Sequence, residues 1–244
     1  MHVGCNIDNM DNIGFYCLNF YPSRKPAMQE RFSKLNIECE FYGGVTFEDP
    51  RIANHITGDS RRVWSYTFGH LDMIQQFVAS GKEFGIFCED DIYINKNLPR
   101  LLPAICKHFT ECDLDVLLLG YLLQFRVAKD NMNYPLLIHD DDNENNISFH
   151  RFGNDLWGAQ MYMYSRKNAI RILEKYTLDY AVQSLHNPSI IFSSDWVLTK
   201  DGNRALMAPI MAIEDNSTEY QDGGQRNFHA ACFQNNCNDD FLQR

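Results

Sequence analysis

In Phe84-Gly85-Ile86-Phe87-Cys88-Glu89-Asp90-Asp91 a compact apolar run passes directly into three carboxylates. A short run of this kind, without helical periodicity, reads as a strand buried on both faces, as in the centre of a parallel sheet. The carboxylates then stand where the strand ends. Upstream, Trp64, Phe68, Leu71, Ile74 and Val78 recur at helical spacing, so Arg61 to Ala79 reads as a helix capped by Asp59 or Ser60 and stopped at Ser80-Gly81. Downstream, Leu98, Leu101, Leu102, Ile105 and Phe109 mark a second amphipathic helix, and Asp115 to Gly120 a second buried strand.

The alternation extends outward. Ile13 to Phe20 reads as the first strand, the Pro22 to Pro26 punctuation as a turn into a helix ending near Leu35, and Ile37 to Val45 as the next strand before a loop from Thr46 to Asp59. Beyond Tyr121 the pattern loosens, with hairpin strands expected near Phe125 and Leu136. Then come a strand at Trp157 to Tyr164, a helix at Arg166 to Tyr176, a helix start at Ser193-Ser194-Asp195-Trp196, and a last strand at Ala205 to Ile213. Such alternation predicts an α/β fold with a mostly parallel central sheet, helices on both faces, and ligands bound beyond the carboxyl ends of the strands.

The chain has 244 residues, 45% of them hydrophobic and 22% charged, which suits one domain over 1–244; the polar tail from Gln221 is expected to fold over the site. A formal net charge of -10 argues against a nucleic-acid binder, whose affinity needs clustered cations. No stretch is long and apolar enough to span a membrane. The N-terminus also lacks a basic region and an apolar segment, so a cytoplasmic protein of a bacterium or a virus-infected cell is expected. On that expectation the sequons at Asn146 and Asn216 are idle. The eight cysteines are scattered without a Cys-x-x-Cys pair; Cys17 and Cys88 read as small core hydrophobes, and a bridge between Cys232 and Cys237 stays open.

Three adjacent carboxylates at a buried strand end call for a cation. A divalent ion, Mn2+ or Mg2+, would bind carboxylate oxygens and substrate phosphate oxygens together, letting an acidic protein hold a nucleoside diphosphate. Arg24 is expected either to reach a phosphate or to solvate a loop.

These blocks resemble, in order, the glycosyltransferase family 25 enzymes, which include lipooligosaccharide and collagen galactosyltransferases. Phe15 to Phe20 with Arg24 and Arg31-Phe32 is similar to that family's opening strand, turn and helix. Gly69-His70-Leu71 is similar to its Ser-His-Leu block, and Phe84 to Ile92 to its strand followed by Glu-Asp-Asp. Asp115 to Gly120, Gly158 to Ala169 and Ser194-Asp195-Trp196 are similar to later blocks. The resemblance implies a Rossmann-like GT-A fold and inverting transfer of a hexose, galactose or glucose, from a UDP-sugar to a glycan or protein hydroxyl.

On that basis Leu18, Asn19, Arg24, His70, Glu89, Asp90 and Trp157 are expected on the donor, with Glu89 and Asp91 on the metal. Inversion needs a general base, and Asp195 in a helix's first turn is the candidate, with Asp155 in reserve. His229 could close a metal site, as a C-terminal histidine does in some GT-A enzymes, or lie on the surface. His70 shares a helical face with Val63, Tyr66 and Met73, which equally suits a hydrogen-bonded structural histidine, and Trp157 or Trp196 could stack on a sugar or belong to the core. Two other classes compete. A metal-dependent phosphohydrolase would need an Asp-x-Asp-x-Thr or Gly-x-x-x-x-Gly-Lys loop that the chain lacks, and a non-catalytic carbohydrate-binding protein of the same fold need not keep the acidic residues.

Overall fold

The computed structural model describes residues 10–140, 145–216 and 222–242. In chain order the elements are β1 (Ile13–Asn19), α1 (Lys25–Lys34), β2 (Cys39–Gly43), α2 (Pro50–Ala53), α3 (Ser60–Ser80), β3 (Phe84–Glu89), β4 (Ile92–Ile94), α4 (Leu98–Glu111) and β5 (Val116–Leu122). They continue with β6 (Leu136–His139), β7 (Ser148–His150), β8 (Trp157–Ser165), α5 (Arg166–Lys175), α6 (Leu178–Ser184), α7 (Ser194–Thr199), β9 (Arg204–Ala208), β10 (Ala212–Glu214) and α8 (Gly223–Asn236).

The strands form one sheet in the order β2-β1-β3-β8-β5-β9-β7-β6, with β10 beside β5 and β4 beside β10. β2, β1 and β3 are mutually parallel and β5 is parallel to both β9 and β10, whereas β8 is inserted antiparallel between β3 and β5. The expected α/β fold with its mostly parallel central sheet and flanking helices is present. β8 therefore begins at the edge where β3 and β5 end.

The uniformly apolar strands reflect burial on both faces. Along β1, Phe15 and Cys17 join one core, with Met28 and Phe32 of α1 and Leu101, Ile105 and Phe109 of α4. Tyr16 and Leu18 point the other way, into a core with Trp64, Phe68, Ile74 and Phe77 of α3 and Ile172 of α5. The period-2 alternation of strand side chains thus feeds two helical layers. α3 crosses closely over β1 because Gly69 faces Leu18: a Cβ there would stand 3.0 Å from Leu18 Cδ1. Gly81, at φ 79°, ends α3 in the left-handed conformation that glycine adopts without strain.

Several local expectations change. Asp59 holds the N-cap position of α3, but no side-chain capping bond forms there. Within the expected loop from Thr46, Asp49 caps the short α2 by accepting from the Arg51 amide. Phe125 lies in no strand; β6 pairs instead with β7, which joins it to β9. The single last strand is two, β9 and β10, separated around the cis Ala208-Pro209 bond, because proline cannot supply a ladder N–H. The polar tail carries the helix α8, whose Asp222 accepts from the Gln225 amide. Cys232 and Cys237 are both free thiols, so no bridge joins them. Cys5, residues 141–144, 217–221 and 243–244 lie outside the described residues. No helix among the described residues is long and apolar enough to cross a membrane.

Candidate active site

β1 and β3 run side by side in register, Leu18 opposite Glu89, so both deliver their carboxyl ends to one edge of the sheet. A second acidic strand end meets them there. β10 lies antiparallel to β4, with Glu214 opposite Ile92, and the Asp215 amide donates to the Asp91 carbonyl at 2.6 Å. Glu89-Asp90-Asp91 and Glu214-Asp215 thereby converge from two strands.

The three carboxylates of the triplet have different surroundings. Asp90 is buried and accepts from Asn19 Nδ2 at 3.0 Å, the Tyr21 amide at 2.7 Å and Arg24 Nη1 at 3.1 Å. Its oxygens hold the turn after β1 in place. Asn19 also donates to the Tyr21 carbonyl at 2.8 Å, so this predicted donor contact is engaged in the turn. Asp91 accepts from the same Arg24 Nη1 at 2.9 Å. Burial, followed by the charges of Glu89 and Glu214, pushes Asp91 up to about 8. Burial, followed by the charges of Asp195, Glu214 and Asp90, likewise pushes Glu89 up to about 8. Carboxyl groups are crowded together at this edge of the sheet.

A cavity of about 680 Å3 opens over this edge. Leu18, Arg24, Glu89, Asp90, Asp91, Trp157, Asp195 and His229, all predicted site residues, line it. Asp195 Oδ1 accepts from the Gly158 amide at 2.7 Å. α7 is only six residues long, so that amide, more than a helix dipole, keeps the carboxylate in place. His229, from α8, sets Nδ1 2.6 Å from Glu214 Oε2. Trp157, 53% exposed, stands at the rim.

Other predicted residues lie elsewhere. His70 is fully buried beneath the cavity, its Nδ1 3.0 Å from the Tyr162 hydroxyl and its Nε2 3.9 Å from Glu89 Oε1. Burial lowers it to about 4, so it is neutral. Asp155 is exposed on the segment before β8 and does not line the cavity, nor does Trp196.

The residues fit a hard cation in chemistry more than in finished geometry. Glu89, Asp91 and Glu214 supply carboxylate oxygens at one edge of the cavity, the hard ligands that suit Mn2+ or Mg2+. Yet among the described residues no three His, Cys, Asp or Glu side chains are gathered as a ready ligand set. His229 does not join Glu89 and Asp91 as the expected trio: it is paired with Glu214, which itself lies beside both carboxyl groups.

The sequence reading passed over Glu214, Tyr66, Arg62 and Gln160, which also line the cavity. Glu214 carried a signal: Ala205 to Ile213 runs into Glu214-Asp215 as Phe84 to Cys88 runs into Glu89. Tyr66, stacked on Phe20 at 4.2 Å with the Arg62 guanidinium 5.5 Å from its ring centroid, lies within a helix pattern that says nothing about which face meets a ligand.

No family model and no curated protein matches the chain. Solved structures similar to it include one described as A197 from STIV, 14% identical over 83% of this chain and 84% of that one, with a TM-score of 0.42. Another is a glycosyltransferase involved in the glycosylation of the major capsid of PBCV-1, 11% identical over 89% and 97%, with a TM-score of 0.36. A third is mannose-1-phosphate geranyltransferase from Thermus thermophilus, 9% identical over 80% and 73%, with a TM-score of 0.38. Likenesses this slight carry no argument about the site.

Proposed function

We propose that this chain is a glycosyltransferase of the GT-A type, moving a hexose with inversion from a nucleotide sugar, UDP-galactose or UDP-glucose by the family 25 resemblance, to a glycan or protein hydroxyl. The observation that carries the reading is the meeting of two acidic strand ends, a guanidinium and a separately anchored carboxylate around one cavity at the carboxyl edge of the sheet. A bound divalent ion would neutralise charge developing on the leaving diphosphate, and Glu89, Asp91 and Glu214 are the residues that would hold it.

The remaining work falls to the chain. Arg24 faces the phosphates, and Asp90 fixes the turn that carries it. Asp195 takes the proton of the acceptor hydroxyl as that oxygen bonds to the anomeric carbon and the bond from that carbon to the diphosphate oxygen breaks on the opposite side. The Gly158 amide keeps Asp195 aimed at the acceptor.

Calorimetric titration of UDP-, GDP- and CMP-sugars, with manganese and with chelator, tests this reading. Manganese-dependent uptake of one nucleotide supports it; no uptake of any overturns it.

A further inference from the structure

β8 is irregular where it borders the cavity. Trp157 stands opposite Leu122 and Met161 opposite Gly120, so four steps along β8 face two along β5. A bulge of this kind bends the strand and re-aims its side chains. Gly158, at φ 125°, makes it possible: a Cβ there would lie 2.8 Å from Tyr121 Cα and 3.0 Å from the Leu122 nitrogen. In a regular strand Trp157 and Gln160 would point to opposite faces. Here both line the cavity.

The two re-aimed side chains are complementary. Trp157 offers an exposed ring at the rim. Gln160 is 5% exposed, and its Oε1 is buried without a hydrogen-bond partner. A buried amide oxygen in that state costs free energy unless a donor reaches it. The glycine between them holds Asp195 through its amide. One bulge therefore joins a flat apolar ring, an unmet acceptor and a carboxylate that can take a proton.

We propose that the β8 bulge is the acceptor subsite and that it takes a saccharide, whose ring lies on Trp157, one of whose hydroxyls donates to Gln160, and whose reacting hydroxyl faces Asp195. The role of acceptor rests on the transferase reading. A saccharide fits where a protein side chain does not, because a sugar pairs an apolar C–H face with hydroxyl donors at ring spacing. Trp157 thus belongs to the acceptor side, not to the donor side the sequence suggested.

The test is titration of methyl galactoside, methyl glucoside, lactose, maltose and a serine-containing peptide into the full chain, read by saturation-transfer NMR and tryptophan fluorescence. Nucleotide-sugar affinity is measured on the same samples. At least one saccharide is expected to bind, about tenfold more weakly to Trp157→Ala and with most of its affinity to Trp157→Phe. Gln160→Leu is expected to weaken it several-fold at nearly constant volume. Failure of every saccharide to bind, binding of the peptide alone, saccharide binding that Trp157→Ala leaves intact, or loss of nucleotide affinity in Trp157→Ala overturns the inference. Saccharide binding on Trp157 without any nucleotide binding overturns the transferase reading and leaves the subsite standing.

Discussion

Arg24 donates through one nitrogen, Nη1, to both Asp90 at 3.1 Å and Asp91 at 2.9 Å. The two neighbouring carboxylates nevertheless have separate tasks. Asp90 also holds Asn19 and the Tyr21 amide, whereas Asp91 faces Glu89 and Glu214. Asp90→Ala is expected to cost about 3 kcal/mol in a denaturant melt, because it strands buried donors. Asp91→Ala is expected to keep the fold and lose manganese-dependent nucleotide binding. Equal effects of the two variants on stability would refute this division.

Asp195→Asn retains an oxygen to accept from the Gly158 amide but cannot take a proton. Transfer is expected to slow by about 100-fold or more while nucleotide affinity stays near that of the parent. Steady-state kinetics alongside calorimetry separates the two; a rate close to the parent's removes Asp195 as the base.

Gly158→Ala places a methyl group against Gln160 Oε1 and the Tyr121 and Leu122 backbone at a positive φ. A loss of about 2 kcal/mol is expected, together with a fall in activity larger than the lost stability explains, since the amide that aims Asp195 shifts. Thermal melting and turnover measured below the melting range test this.

His150 supplies a pH dependence away from the cavity. It is fully buried, with Nδ1 2.8 Å from the Tyr134 carbonyl and Nε2 2.8 Å from the Ser148 hydroxyl. Burial holds it below its ordinary 6.5, against the raising effect of the Tyr134 carbonyl. The unfolded chain therefore takes up the proton first as pH falls below 6.5, so this contribution is complete above that pH and is lost below it, down toward the folded value. His150→Gln is expected to flatten part of the fall in melting temperature between pH 7 and pH 5; an unchanged slope would assign the acid loss to other groups.

Much of the sheet was legible because its strands are short apolar runs with helices on both faces, and β1, β3 and β5 fell close to their expected bounds. The same cue placed Glu89, Asp90 and Asp91 at a strand end. It was not applied to Glu214-Asp215, since the proline break between β9 and β10 disguised where that strand began. The antiparallel sense of β8 leaves no mark in a run buried on both faces, and the bulge depends on pairing with β5, which sequence spacing does not encode. α8 was hidden by polarity: it buries little of its surface, and Phe228 and His229 meet the cavity rather than a core.

β8 is hydrogen-bonded to both β3 and β5 from Met161 to Tyr164. The amides of that stretch therefore belong with the slowest to exchange with solvent, opening only when the whole molecule opens. Trp157 and Gln160 lie in the bulged start of the same strand, which runs directly into that stretch. Recognition there should persist on heating until the core itself melts, so loss of saccharide binding and loss of structure are expected to fall on a single thermal transition.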